Sequence, residues 1–351
     1  MSARRHLSHE RQELELFRAL PGDLAPRDAQ DLMSYPFFSL SKSHRTTPID
    51  YRLGGVAIRV EAVPEHGMAT IWDADILIWA ASQIVEARDA GRRTSRLMAA
   101  TPYEILTFIG RGSSVRDYHR LKAALDRLQS TTVATSLRRA SERRMHRFSW
   151  INEWTERADA HGRTDGIDLI VPDWFYSAVL NDALVLTIDR AYFKLSGGLE
   201  RWLYRLVRKH AGRQKSGWRF DFRHLHAKSA SLSPYKRFAF DIREIVRAQP
   251  LPGYQLAREL EGGEREFLAF EKATLSTATC EQAVDAVVPS GTPGLVLSGT
   301  RLSCHQEPKE HFSSVKSATS GALNLSSNLK ESNGSLVGYE LDLGAPSAGE
   351  P

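Results

Sequence analysis

Two helix starts set close together and divided by glycines constrain the fold of this chain more than any other feature. Thr101-Pro102-Tyr103-Glu104 combines an N-cap threonine, a proline at the first helical position and an acid three residues after the cap. It therefore opens a helix carrying Ile105, Leu106, Phe108 and Ile109. Gly110-Arg111-Gly112-Ser113 ends that helix early, and Ser114 with Asp117 opens the next, through Val115, Tyr118, Leu121, Leu125 and Leu128 at helical spacing. At about 100° per residue, Arg116, His119, Ala123 and Arg127 point away from this apolar face, flanked by Arg120 and Lys122. The β-branched TTVATSL, the polar RRASERR and a returning strand MHRFSWINEW follow as a hairpin. A hairpin behind a helix–turn–helix is a wing. Its tip carries Arg138, Arg139, Arg143 and Arg144, which suit a phosphate backbone and not a core.

The second half repeats this order. After the strand GIDLIV and a short segment from Trp174 to Leu180, ALVLTI leads into one long helix from Asp189, DRAYFKLSGGLERWLYRLVRKHAG, which Gly197-Gly198 bend or interrupt. FRHLHAKSAS reads as a short helix and turn; Ser233-Pro234 then caps PYKRFAFDIREIVRAQ, which stops before Pro250 and Pro252. Tyr235, Phe238, Ala239, Ile242, Ile245 and Val246 form its inner face. Lys236, Arg237, Phe240, Glu244 and Arg247 lie opposite, a mixture of cations, an acceptor and an apolar group that base edges and phosphates require. Tyr254 to Leu260, the turn Gly262-Gly263 and Arg265 to Phe270 make a second hairpin.

The expected fold is therefore α+β: two tandem winged-helix (helix-turn-helix) domains, mostly helical with β-hairpin wings, plus a flexible C-terminal tail. A length of 351 residues accommodates this. Residues 1–30 read as a charged arm ending in the helix breakers Pro21, Gly22 and Pro26, residues 31–160 as the first domain and 161–272 as the second. The first domain opens with short strands between Tyr35 and Ile71, and with a helix that Asp73 or Asp75 N-caps and Gly91 ends. Residues 273–351 read as a low-complexity, disordered tail, because all seven tryptophans lie before it and Ser, Thr, Gly and Ala dominate it. The short apolar patch Pro293–Leu302 is its one departure from that composition.

Charge points to a polyanion. The chain carries +5 overall, yet Arg88–Arg147 holds 14 Lys and Arg against 5 Asp and Glu, and Arg201–Arg247 holds 13 against 3. No apolar run is long enough to span a membrane, and Glu10, Glu13 and Glu15 interrupt the N-terminus where a secretion signal needs its apolar core, so a cytoplasmic protein is expected. Cys280 and Cys304 form no CxxC, no phosphate loop GxxxxGK[ST] occurs, and neither a cofactor, a metal nor a catalytic residue is expected. His224-Leu225-His226 is the one catalytic-looking motif. On a strand such a pair holds the metal of a nicking enzyme, with Tyr235 or Tyr254 as nucleophile. On the helix expected here, residues two apart diverge by about 200° and cannot share an ion. Trp72, Trp79, Trp150 and Trp154 read as core and not as stacking platforms for a single strand.

The stretches DLMSYPFFSLSK, GMATIWDADILIWAASQIVEARDAG, AATPYEILTFIGRG and YHRLKAALDRLQSTTVATSLRR resemble plasmid replication initiators of the RepA type found in alpha-proteobacteria. GLERWLYRLVRKHAG and FRHLHAKSASLSPYKRFAFDIREIVRAQPLPGY in the second half are similar to the same family. The resemblance covers residues 31–260. It implies a protein that binds repeated duplex sites (iterons) in a plasmid origin, helps open the duplex, recruits the host initiator DnaA and the replicative helicase DnaB, and exchanges between a monomer and a dimer that represses its own gene. In such a family the second winged helix is the base reader. That assigns DNA contacts to Lys236, Arg237 and Arg247, with Lys228, Ser229 and Ser231 on the adjoining turn, while Arg111, Arg116, Arg120, Arg127 and the four wing arginines serve the first. A winged-helix transcriptional regulator would use the same surfaces, and a rolling-circle nicking enzyme would add the histidine pair.

Overall fold

The computed structural model describes residues 8–138, 145–158, 164–211 and 217–273. Arg139, Arg143, Arg144, the Pro293–Leu302 patch and the tail lie outside the described residues. The chain runs through α1 (His9–Glu13), β1 (Phe17–Arg18), β2 (Arg27–Ala29), α2 (Gln30–Ser34), β3 (Ile49–Leu53), β4 (Val56–Glu61) and α3 (Ala74–Asp89). It continues through β5 (Leu97–Ala100), α4 (Pro102–Phe108), α5 (Val115–Ser130), β6 (Thr132–Thr135), β7 (His146–Ser149), β8 (Glu153–Ala158), β9 (Thr164–Ile170) and α6 (Asp173–Val179). The last elements are β10 (Val185–Thr187), α7 (Gly198–His210), β11 (Trp218–Asp221), α8 (Phe222–Ser229), α9 (Tyr235–Ala248), β12 (Tyr254–Glu261) and β13 (Arg265–Lys272). The architecture is mixed α+β, with small sheets and helices around α3.

α3 is buried on every side from Ile76 to Val85, and its two polar residues there, Ser82 and Gln83, accept from the backbone N–H groups of Arg27 and Leu20. Asp73 stands at its N-cap position but does not cap it. Its carboxylate accepts hydrogen bonds from the Thr70 N–H at 2.8 Å and the Thr70 hydroxyl at 3.0 Å, and from both sides of the Arg127 guanidinium at 2.8 Å. Asp75, fully buried in the first turn, accepts from Arg201 at 2.8 and 2.9 Å and from Arg111 at 3.3 Å. The capping role expected of these acids is thus replaced by ion pairing, because α3 begins inside the protein where guanidiniums reach it. Gly91, at φ +67°, ends the helix as expected.

Both capping boxes form. Thr101 and Glu104 exchange side-chain and backbone hydrogen bonds at the start of α4, and Ser114 and Asp117 do so at the start of α5. Two other expectations need correction. MHRFSWINEW is not one returning strand: β7 pairs with β6 in the sheet β3-β4-β6-β7, whereas β8 leaves for the sheet β1-β5-β9-β8. The turn between them is set by Trp150 and Ile151, each wholly buried. The segment from Asp189 is interrupted at the glycine pair, one of the two outcomes expected there, but its first part is not α-helix. Arg190–Lys194 is a short 3₁₀ turn and α7 starts at Gly198. A Cβ at Gly198 would overlap the Leu40 carbonyl and come within 3.0 Å of Trp72, so the glycine pair allows close packing.

From Ser8 onward the charged N-terminal residues are fixed on the body. Arg11 reaches Glu153 at 3.3 Å and also bonds Thr155 and Asp168, while Glu10 holds Arg96 at 2.6 Å and Asn152 at 3.1 Å. β1 pairs with β5, and β2 pairs with β10. The division expected at residue 160 falls between β8 and β9, neighbours in one sheet. α7 is held to β2 by Arg205, whose guanidinium meets both oxygens of Asp28 at 2.7 and 2.9 Å with each side chain 1% exposed. Burying these charges is tolerable because each has its counter-charge and well-aimed hydrogen bonds.

Candidate nucleic-acid interface

The helix–turn–helix expected in the second half is α8, a serine-rich turn and α9. Asp221 caps α8 by accepting from the backbone N–H groups of Arg223 at 2.7 Å and His224 at 3.2 Å. Ala230 ends it in the left-handed conformation, φ +48°. The turn is stitched internally. The Ser229 hydroxyl donates to the His226 carbonyl at 2.9 Å and accepts from Ser231 N–H at 3.2 Å; the Ser231 hydroxyl accepts from Ser233 N–H, also at 3.2 Å. Ser229 is 1% exposed, so it belongs to the turn and is withdrawn from the DNA-facing set. Ser231 is half-buried, and Lys228 lies with its ammonium 5.0 Å from the Tyr35 ring centre.

α9 begins one residue later than its Ser-Pro start suggested, with Pro234 at the N-cap and no side-chain cap. Phe238, Ala239, Ile242 and Ile245 face the core, while Lys236, Arg237, Phe240 and Arg247 are exposed. Arg237 lies 3.0 Å from Asp241 and 5.2 Å from the Phe240 ring centre, and Arg247 pairs with Glu244. These pairs are on the surface and yield to a phosphate or base at little cost. The hairpin β12–β13 is fixed to α9 by the Gln249 amide, which donates to the Leu256 carbonyl at 2.8 Å and accepts from its N–H at 2.9 Å. Arg243 of α9 and Arg258 of β12 both pair with Glu266 of β13, and the Arg243 hydrogen bond holds that carboxyl below the usual range. Gly262 and Gly263, at φ +62° and +82°, form the hairpin turn.

In the first half the order α4, glycine turn, α5 and hairpin β6–β7 is present, but its arginines divide. Arg116 and Arg120 are exposed on α5, as is His119 between them. Arg111 turns inward to the Trp72 carbonyl at 2.9 Å and to Asp75, and Arg127 is committed to Asp73. Arg138, at φ +65°, lies 3.9 Å from the Trp174 ring centre, donates to the Trp174 carbonyl at 2.5 Å and pairs with Asp31 at 2.6 Å. Arg111, Arg127 and Arg138 are therefore engaged within the fold, where their places on the glycine turn, the outer helix face and the wing suggest DNA contacts. Much of the basic excess of both windows is used in the same way, by Arg88, Arg96, Arg201 and Arg205.

Lys42, His44 and His66 were missed by sequence reading. They face α5 across a groove, from loops in which isolated basic residues give no periodic signal. The histidine pair takes separate directions. His224 stacks on Phe220, with ring centres 5.7 Å apart and planes at 5°, and burial and then Lys228 lower its pKa. His226 Nε2 donates to the Ser233 carbonyl at 2.8 Å. The two sit on helix α8 as expected and share no site. Of the tryptophans, Trp79 and Trp150 are core, but Trp72 is half-buried and lines the groove.

Residues 27–256, spanning both helix–turn–helix units, match the family model described as Replication initiator protein A. The chain belongs to the replication initiator protein A family. It is also 30% identical over 244 residues to a protein of Wigglesworthia glossinidia brevipalpis described as "Putative replication protein", covering 68% of this chain and 86% of that one. Its fold resembles the crystal structure of domains 2 and 3 of RctB, with a TM-score of 0.53 at 16% identity over 69% of this chain and 97% of that one. The family match covers every described residue discussed as a DNA contact. Among the described residues, no helix is long and apolar enough to cross a membrane.

Proposed function

We propose that this initiator-family protein binds repeated duplex sites (iterons) at a plasmid origin through two winged helix–turn–helix units, one before and one after residue 160, on a body whose sheet β1-β5-β9-β8 crosses that position. In this reading α9 enters the major groove and α5 follows the backbone with Arg116 and Arg120. The observation that carries it is the outer face of α9. Lys236, Arg237, Phe240 and Arg247 stand exposed on a helix whose other face is buried and whose C-terminal end is pinned to a hairpin. Such a helix is rigid enough to read bases. Arg237 suits the paired acceptors of guanine, Phe240 the methyl group of thymine, and Lys236 and Arg247 the flanking phosphates, with Lys228 and Ser231 on the turn beside them.

Family membership supports the wider role: opening of the origin, recruitment of DnaA and DnaB, monomer–dimer exchange and repression of its own gene. Non-catalytic binding agrees with the separate contacts of His224 and His226. Footprinting of the purified protein on DNA flanking its gene, titrated against salt with and without a divalent metal, tests the proposal. Regularly spaced direct repeats protected without strand breaks are expected. A single palindromic footprint would make the protein a transcriptional regulator, and metal-dependent breaks would return the histidine pair to consideration.

A further inference from the structure

We propose that the groove beside α5 is a second phosphate-binding site, occupied by the phosphate of a nucleotide, whether in a DNA backbone or free in solution. The groove encloses about 560 Å³ and is lined on one side by Arg120, Ala123 and Arg127 of α5, and on the other by Lys42, His44, His66 and Trp72. That volume is in the range of small-ligand clefts. Its charge is one-sided in effect as well as in number. The two carboxylates in its wall, Asp73 and Asp117, are already engaged. Asp73 holds Thr70 and Arg127, and Asp117 caps α5 by accepting from the Ser114 hydroxyl at 2.6 Å, the bond that contributes most to lowering its pKa.

The basic side chains fall into two kinds. Arg111 and Arg127 are fixed by their internal partners and hold the wall in shape. Lys42, His44 and His66 have no carboxylate partner among the described residues, whereas Arg120 pairs with Asp117 at 3.5 Å on the surface, its side chain 61% exposed. His44 is aimed by its Nε2–H, which donates to the Pro64 carbonyl at 2.8 Å. Lys42 rests 4.9 Å from the centre of the Trp72 ring, a position it can leave for an anion. The vacated indole face then meets a base or sugar. Phosphate is the ligand class that matches the unpaired Lys42 ammonium and the exposed Arg120 guanidinium beside an aromatic wall.

The groove stands on its own geometry; only the duplex arm of the test rests on the DNA-binding reading. The full-length Lys42→Ala/Arg120→Ala variant is compared with the parent chain after matched melting curves confirm folding. One arm is the salt dependence of affinity for the footprinted duplex, and the other is calorimetric titration with ATP. A salt slope lower by about 0.9 beyond that of Arg120→Ala alone, the share of Lys42, identifies the backbone as occupant of the groove. An ATP affinity about tenfold weaker or worse identifies a free nucleotide. Unchanged slope together with ATP binding that is absent from the parent, or unaltered in the variant, overturns the proposal. If no duplex is bound specifically while the ATP arm responds, the site survives and the origin-binding reading falls.

Discussion

Arg120 and Arg127 lie two turns apart on α5, yet burial gives them different roles. Arg127 grips both oxygens of Asp73, whose side chain is 2% exposed, whereas Arg120 stands 61% exposed beside Asp117. Arg127→Ala leaves a buried carboxylate without its partner and is expected to lower stability on the order of 3 kcal/mol in urea denaturation. Arg120→Ala is expected to leave stability unchanged and to reduce the salt slope of DNA binding by about 1, for specific and random DNA alike. Arg237→Ala should instead weaken specific binding by about 1–3 kcal/mol; an unchanged ratio of specific to random affinity would remove α9 as the reader. His210 carries a pH prediction. It is half-buried against Trp218 and Phe220, and the loss of water around its ring, followed by Lys209, lowers its pKa to about 3. The unfolded chain takes up this proton below about pH 6.5 and the folded chain does not. Stability from this group is therefore complete above that pH and falls toward pH 3 by up to about 1.4 kcal/mol per unit. Melting curves of His210→Phe against pH should show a flatter acid limb.

At the scale of elements, α9 and its hairpin form one rigid piece because Gln249 supplies the β12 backbone with both a donor and an acceptor. Gln249→Ala is expected to cost about 1–2 kcal/mol and to speed amide exchange at Leu256, without affecting exchange in α5. The starts of α4 and α5 were legible in the sequence because a capping box is complete within four residues. The inner face of α9 was legible for a related reason: Phe238, Ala239, Ile242 and Ile245 repeat at the helical period. The split of MHRFSWINEW into β7 and β8 was not legible. Local pattern marks extended backbone, but not the point at which a strand passes from one sheet to another.

Across the whole molecule, buried ion pairs join segments distant in sequence. Arg205 meets Asp28 across 177 positions, and Arg201 meets Asp75 across 126. Through these pairs α7 is tied to β2 and to the start of α3, so the second helix–turn–helix follows a helix anchored in the first half of the chain. Asp28→Ala is expected to destabilise by about 3–5 kcal/mol, because Arg205 is then left charged and buried. Replacing both members by leucine should recover much of that loss, measured as a double-mutant cycle in urea.

The two helix–turn–helix units in their order, the outward face of α9 and the family could be read from the residues alone, since periodicity, caps and long motifs are local properties that survive without a fold. Which arginines are free depends on how the chain folds back on itself. Arg111, Arg127, Arg138, Arg201 and Arg205 read as surface charge until Asp75, Asp73, Asp31 and Asp28 are brought to them. The same chain reversal brings Lys42, His44 and His66 opposite α5. A charge's role depends on what lies within a few ångströms of it, and chain neighbours alone do not fix that distance.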